Sequence, residues 1–198
     1  LPAIESFILA RLFMFQQVYF HKTCRASEWL LARILGRVRE LLVDGTRLPM
    51  VPPAVASLAR DGDARLAEYL SLDDALLWTS ISEWRSAADP ILRDLSQRLV
   101  ARQLFKTHEL YAGDAEPENR RDLLERARDV ARAAGFDPEV YVGLDCASDL
   151  PFDDSDGSLS VIFPTGAPRR PGDVSYLLGR LRGQRMARVR LVFAEELR

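Results

Sequence analysis

The stretch from Leu1 to Val43 constrains this chain more than any other. Neither glycine nor proline occurs between Ala3 and Leu35. Its apolar residues Ile4, Phe7, Ile8, Phe13, Met14, Val18, Trp29, Leu30, Ile34, Val38 and Leu41 recur every three or four positions. That spacing is the period of an amphipathic helix, so one long helix is predicted. Pro2 suits the first turn, where a missing N–H costs nothing. Asp44-Gly45 supplies a stop, because glycine readily takes the left-handed cap conformation. Unbroken, the helix would run roughly 60 Å, and at that length one or more kinks are expected. With the core stripe facing inward, Trp29, Trp78 and Trp84 are expected to be core residues.

The polar residues of this helix carry the functional signal. At about 100° per residue, Arg11, Phe15, Tyr19 and Lys22 fall within about 80° of one another. A guanidinium, a phenol and an ammonium then share a face with an aromatic ring. Arginine forks onto phosphate oxygens and lysine adds a point charge, so the set suits a phosphate joined to a sugar or base. The competing reading is a solvated flank beside a core stripe, since basic residues on helix faces are common.

Residues 46–71 are linker-like, with prolines at 49, 52 and 53 and short helices near Ala54–Leu58 and Arg65–Tyr69. Ser71 with Asp74 resembles a capping box and opens a helix with Leu72, Leu76, Leu77, Ile81 and Trp84 inward. Asp89-Pro90 opens another, with Ile91, Leu92, Leu95, Leu99 and Val100 inward and Arg93, Arg98 and Arg102 on its polar side. From Gln103 the texture changes. Strands are predicted at Gln103–Leu110, Glu139–Cys146, Ser158–Phe163 and Met186–Phe193, and helices at Pro117–Ala134 and Pro171–Leu181. The order β-α-β-β-α-β is the split, ferredoxin-like arrangement. The fold class is therefore α+β: a mainly helical part over 1–102 with one long helix, then a small ferredoxin-like lobe over 103–198.

Three segments resemble a known family: IESFILARLFMFQQVYFHKTCRASEWLL, SLDDALLWTSISEW and DPILRDLSQRLVARQLFK. They are similar to the helices that complete the core of HD-domain phosphohydrolases, above all the dNTP triphosphohydrolases of bacteria and the animal SAM-and-HD-domain enzyme. Arg11 followed by Tyr19, His21 and Lys22 is the specific part of the pattern. The resemblance implies that Arg11 holds substrate phosphates and that Tyr19 lies against the nucleotide. It places His21 and Lys22 at a nucleotide or subunit contact and implies a homo-oligomer. Phe15 and Phe20 depart from the pattern, standing where some members carry a His near the phosphates and a Gln near the sugar. The family's divalent metal is held by a His, a His-Asp pair and a distant Asp. This chain has two histidines, His21 and His108, and neither is followed by Asp. The chain is accordingly read as the C-terminal part of a longer protein whose metal ligands lie upstream. No catalytic residue and no metal ligand is assigned within it, and alone it is expected to be inactive.

Other classes are disfavoured. A net charge of −2 gives no case for bulk nucleic-acid binding. The predicted strands lack clustered aromatics for stacking bases. No apolar run is long enough to span a bilayer. Cys24 and Cys146 form neither a disulfide framework nor a zinc motif, so a cytoplasmic setting is expected. Cys24, one turn after His21, reads more simply as a packed thiol than as a nucleophile. The acidic run Asp145, Asp149, Asp153, Asp154 and Asp156 has only a faint likeness to a calcium loop and reads as a solvated hairpin tip. The alternative to an enzyme region is a non-catalytic nucleotide-binding or oligomerisation module, since fold does not fix function.

Overall fold

The opening segment is not one helix. In the computed structural model, which describes residues 1–198, helix α1 (Pro2–Met14) passes into a π-helical turn over Phe15–Tyr19. The chain breaks at Phe20 and His21, then resumes as α2 (Lys22–Val43). The break has a visible cause. The Phe20 N–H reaches five residues back to the Phe15 carbonyl at 2.8 Å, so one extra residue is inserted into the ladder. His21 then restarts the helix: its ring Nδ1 accepts from the Thr23 N–H at 3.3 Å and its carbonyl accepts the first α2 bond from Arg25. The far end stops where expected, with Gly45 at φ 78°.

The chain forms two compact units. One contains residues 26–106, 139–141 and 193–198. It holds most of α2, then α3 (Pro53–Asp61), α4 (Leu66–Leu70), α5 (Asp74–Trp84) and α6 (Pro90–Val100). Leu30, Ile34 and Val38 of α2, Ile81 and Trp84 of α5, and Leu92 and Leu95 of α6 are all but sealed from solvent. The Trp84 indole N–H donates to the Pro49 carbonyl at 2.9 Å, which satisfies its polar edge in the core. Trp29 lies tilted against Phe105, centroids 5.2 Å apart, and Phe105 stacks on Tyr141 at 5.9 Å. Trp78 departs from expectation: it is 51% exposed on the outer side of α5. Asp73, not Ser71, caps α5, accepting from the Leu76 N–H at 2.7 Å.

Arg98 also departs from the polar face assigned to it. It is buried, and its guanidinium is held by Asp94 at 2.7 Å and by Glu196 through two bonds of 2.8 and 3.1 Å. Tyr141 donates its hydroxyl to the same Asp94 at 2.6 Å. Desolvation opposes the charge on Arg98, but the two carboxylates outweigh it and keep the group fully protonated.

Asp89 does two jobs at the start of α6. It accepts the Leu92 N–H at 2.7 Å as N-cap and forks onto Arg37 at 2.7 and 3.1 Å. The Arg37 bonds hold its carboxyl below the ordinary 3.8, against the opposing push of burial. A depressed folded value means stability that is present above the unfolded pKa and lost as pH falls through the folded one. Asp89→Ala should cost about 1–2 kcal/mol at neutral pH through the lost cap alone. Asp89→Asn, which still caps, should cost less. Denaturant titration at pH 7 and at pH 3 checks both: the gap between wild type and Asp89→Asn should shrink at the lower pH.

The second unit contains residues 1–25, 107–138 and 142–192. A three-stranded antiparallel sheet is built from β1 (Lys106–Leu110), β2 (Val142–Asp149) and β3 (Met186–Phe193), in the order β1-β3-β2. Helix α7 (Pro117–Ala133) packs on β2, and Gly135 at φ 80° ends it. A single helical turn, α8 (Pro138–Tyr141), precedes β2 where strand was predicted from Glu139. The helix predicted over Pro171–Leu181 is split at Ser175 into α9 (Pro171–Val174) and α10 (Tyr176–Leu181). Ser175 is extended there and caps α10, accepting from the Leu178 N–H. Ile8 of α1 packs with Phe152 and Leu178, flanked by Ile4 and Leu181.

The ferredoxin-like lobe is not formed. The strand predicted at Ser158–Phe163 makes a single bridge, Val161 with Arg169, and joins no sheet. Outward of that hydrogen-bonded pair the ladder would continue at Leu159 and Pro171, and Pro171 has no N–H to donate. Mixed α+β remains the correct class, with three strands rather than four. No helix of the chain is long and apolar enough to cross a membrane.

Candidate functional site

Helix α1 is apolar on two sides. Ile4 and Ile8 face Phe152 and Leu178. On the other side Phe7, Phe13, Met14 and Val18 are about half exposed or more, although the sequence pattern placed them inward. Phe7, Ala10, Arg11, Met14, Phe15 and Tyr19 line one open, mostly apolar groove on this side. The last two belong to the π-turn. The Arg11 guanidinium lies 5.2 Å from the centre of the Phe15 ring, and that ring lies 5.0 Å from the Tyr19 ring at 45°. The structure therefore brings together on one surface three of the four residues that helical spacing placed on one face, Arg11, Phe15 and Tyr19; Lys22 lies beyond the break, in α2, and does not line the groove.

Arg11 has one ionic neighbour, Asp149 of β2, at 3.7 Å. That distance is outside hydrogen-bond range, and a loose pair at the surface is worth about 0–1 kcal/mol. The five guanidinium donors are thus not committed to a strong protein partner. An incoming phosphate could take the fork with little competition. Phe20 is turned inward, 5% exposed, with its ring edge-on to Phe15 at 5.9 Å. It supports the groove from beneath and does not line it.

His21 and Lys22 are exposed at the start of α2. His21 is engaged as a helix cap, and Cys24, half buried behind it, is a free thiol. No three His, Cys, Asp or Glu side chains come together in a way that could hold a metal ion. His21 and His108 sit in different elements and are both exposed. The residues of this chain do not make a divalent-metal site.

The acidic run divides. Asp153 and Asp156 accept backbone N–H groups two residues on, as turn residues do. Asp154 and Asp145 are buried and are not part of a solvated tip. Asp154 binds Arg182 at 2.6 Å and the Gly172 N–H at 2.8 Å. Burial pushes its carboxyl up, and those bonds outweigh it, so the net direction is down.

Asp145 belongs to a feature that sequence reasoning did not reach. Arg25, in the first turn of α2, forks onto Asp145, with its Nε 3.0 and 3.1 Å from the two carboxylate oxygens. Arg190 of the central strand lies between Asp145 on one neighbour, at 3.9 Å, and Glu109 on the other, at 3.1 Å. Arg188 also binds Glu109, at 2.7 Å. Arg190 is 3% exposed, and its Nη2 also donates to the Phe20 carbonyl at 2.8 Å. The strand alternation of Arg188 and Arg190 was visible in sequence. Their acidic partners were not, because strand order is a long-range property.

No family model matches the chain. It is 32% identical over 151 residues to the uncharacterized protein YwfO of Bacillus subtilis (strain 168), a match covering 76% of this chain and 34% of that protein. Its structure is similar to the crystal structure of a phosphohydrolase from Bacteroides thetaiotaomicron VPI-5482, with a TM-score of 0.75 and 26% identity, covering 96% of this chain and 49% of that one. The chain thus spans about a third of the curated relative and about half of the solved one.

Proposed function

We propose that this chain is the C-terminal region of an HD-domain phosphohydrolase that hydrolyses dNTPs to deoxynucleoside and triphosphate. The observation that carries the proposal is the groove in which Arg11, Phe15 and Tyr19 lie in a row on an otherwise apolar helix face. Arg11 would fork onto phosphate oxygens and offset the charge that builds on them as the ester bond breaks. Tyr19 would pack against the sugar or base and, with the neighbouring rings, keep bulk water off that end of the nucleotide. His21 and Lys22 would face a second nucleotide or a neighbouring subunit in a homo-oligomer. A divalent metal bound by residues outside this chain would activate the attacking water.

The outer apolar side of α1 supports the same reading. A helix apolar on both sides is characteristic of a buried position in a larger structure. In this proposal the outer side is covered by the catalytic core, which the helical region 1–102 helps to complete, while 103–198 serves assembly.

The test is an assay of the full-length protein with magnesium or manganese and each dNTP in turn, reading tripolyphosphate and deoxynucleoside. Stoichiometric release of both from at least one dNTP is expected. Release of nothing from any nucleotide would reject the activity. Retained nucleotide affinity in that case would point to the non-catalytic binding module instead.

A further inference from the structure

We propose that Arg190 is a positioning residue for the groove: its buried guanidinium holds the Phe20 carbonyl, and through it the π-turn that carries Phe15 and Tyr19 beside Arg11. This rests on the reading of that groove as a polyphosphate site. The Phe20 carbonyl sits at the break between α1 and α2, where the helical ladder is interrupted. The peptide is fixed from both sides. Its N–H bonds the Phe15 carbonyl at 2.8 Å, and its carbonyl accepts from Arg190 at 2.8 Å. Its ring then carries the position onward, edge-on to Phe15, over which Arg11 lies.

Arg190 is itself well held. Glu109 and Asp145 flank it from the two neighbouring strands, and Arg25 forks onto Asp145 from the first turn of α2. A guanidinium in that position has the reach and the planar fork to serve a carboxylate and a carbonyl at once, which a lysine does not. An interruption of this kind is a common device at functional sites, because one inserted residue re-aims the side chains around it. The bond from the central strand ties that interruption to the sheet.

The test uses the full-length protein and inorganic tripolyphosphate, with affinity read by titration calorimetry. Amide exchange over Phe15–His21 is read separately, without ligand. Arg190→Lys should weaken tripolyphosphate binding about 5- to 20-fold, less than the direct loss of a charge-assisted contact because Arg190 acts through the turn, and should speed exchange in that segment. Asp89→Ala, which removes a cap elsewhere, should lower stability without changing either readout. If Arg190→Lys does not fold, Glu109→Gln carries the test: it keeps Arg190 but loosens one anchor, and should weaken binding roughly two- to fivefold on the same basis. Unchanged exchange, or unchanged affinity while Arg11→Ala lowers it, overturns the role of Arg190. Unchanged affinity in Arg11→Ala with faster exchange in Arg190→Lys means that the groove is no polyphosphate site; Arg190 is then structural only, and the proposal falls with that reading.

Discussion

Trp84→Ala is expected to destabilise the protein by about 3–5 kcal/mol, the usual cost of truncating a large buried side chain. Trp84 is completely buried, and its indole also satisfies the Pro49 carbonyl. The substitution therefore opens a cavity and strands a backbone acceptor. Trp84→Phe separates the two effects, since it fills much of the space and leaves only the carbonyl unmet, at about 1–3 kcal/mol. Trp78→Ala is the internal control. Its side chain is half exposed on the same helix, and a cost within about 0.5 kcal/mol is expected for a surface change. Urea unfolding of the three variants measures the series. Equal losses at Trp78 and Trp84 would contradict the packing described for α5.

Arg11→Ala should lower kcat/KM for dNTP hydrolysis by about 10- to 150-fold in the full-length enzyme. That range is the loss of hydrogen bonds to a charged group, roughly 1.5–3 kcal/mol, converted at about 1.4 kcal/mol per factor of ten. Arg11→Lys should recover part of the loss, because the charge returns without the fork. Unfolding stability should barely move, since the 3.7 Å approach to Asp149 is the pair that Arg11 leaves behind. Steady-state kinetics with the best dNTP decides the matter. An unchanged kcat/KM would remove Arg11 from the site.

Local chemistry was legible in the sequence. Asp89-Pro90 marked the start of α6, Gly45 and Gly135 marked helix ends, and the alternation in Met186–Phe193 gave a strand with those same bounds. The 3.6 period put Arg11, Phe15, Tyr19 and Lys22 on one face; the first three line one groove, and the break before α2 takes Lys22 out of it. The failures share a cause, which is partner choice at long range. Ser158–Phe163 has the composition of a strand, but its only bridge is to Arg169 on its own loop. Arg98 looked like a surface residue until the chain end brought Glu196 to it. The π-turn was equally hidden, since nothing in FQQVY separates it from ordinary helix and the Phe20 peptide that follows is held by a residue 170 positions away.

The row of alternating charges from Arg25 to Arg188 bears on how such a protein can drift. Asp145 and Arg190 at its centre are all but sealed from solvent, so exchange of Asp145 strips a counter-ion from two arginines, one of them buried, and breaking a buried pair costs about 3–5 kcal/mol in comparable cases. A lineage can cross that gap only by changing two or more members in close succession or by replacing the whole row with hydrocarbon. The row therefore acts as an evolutionary ratchet that locks strand order and helix break together.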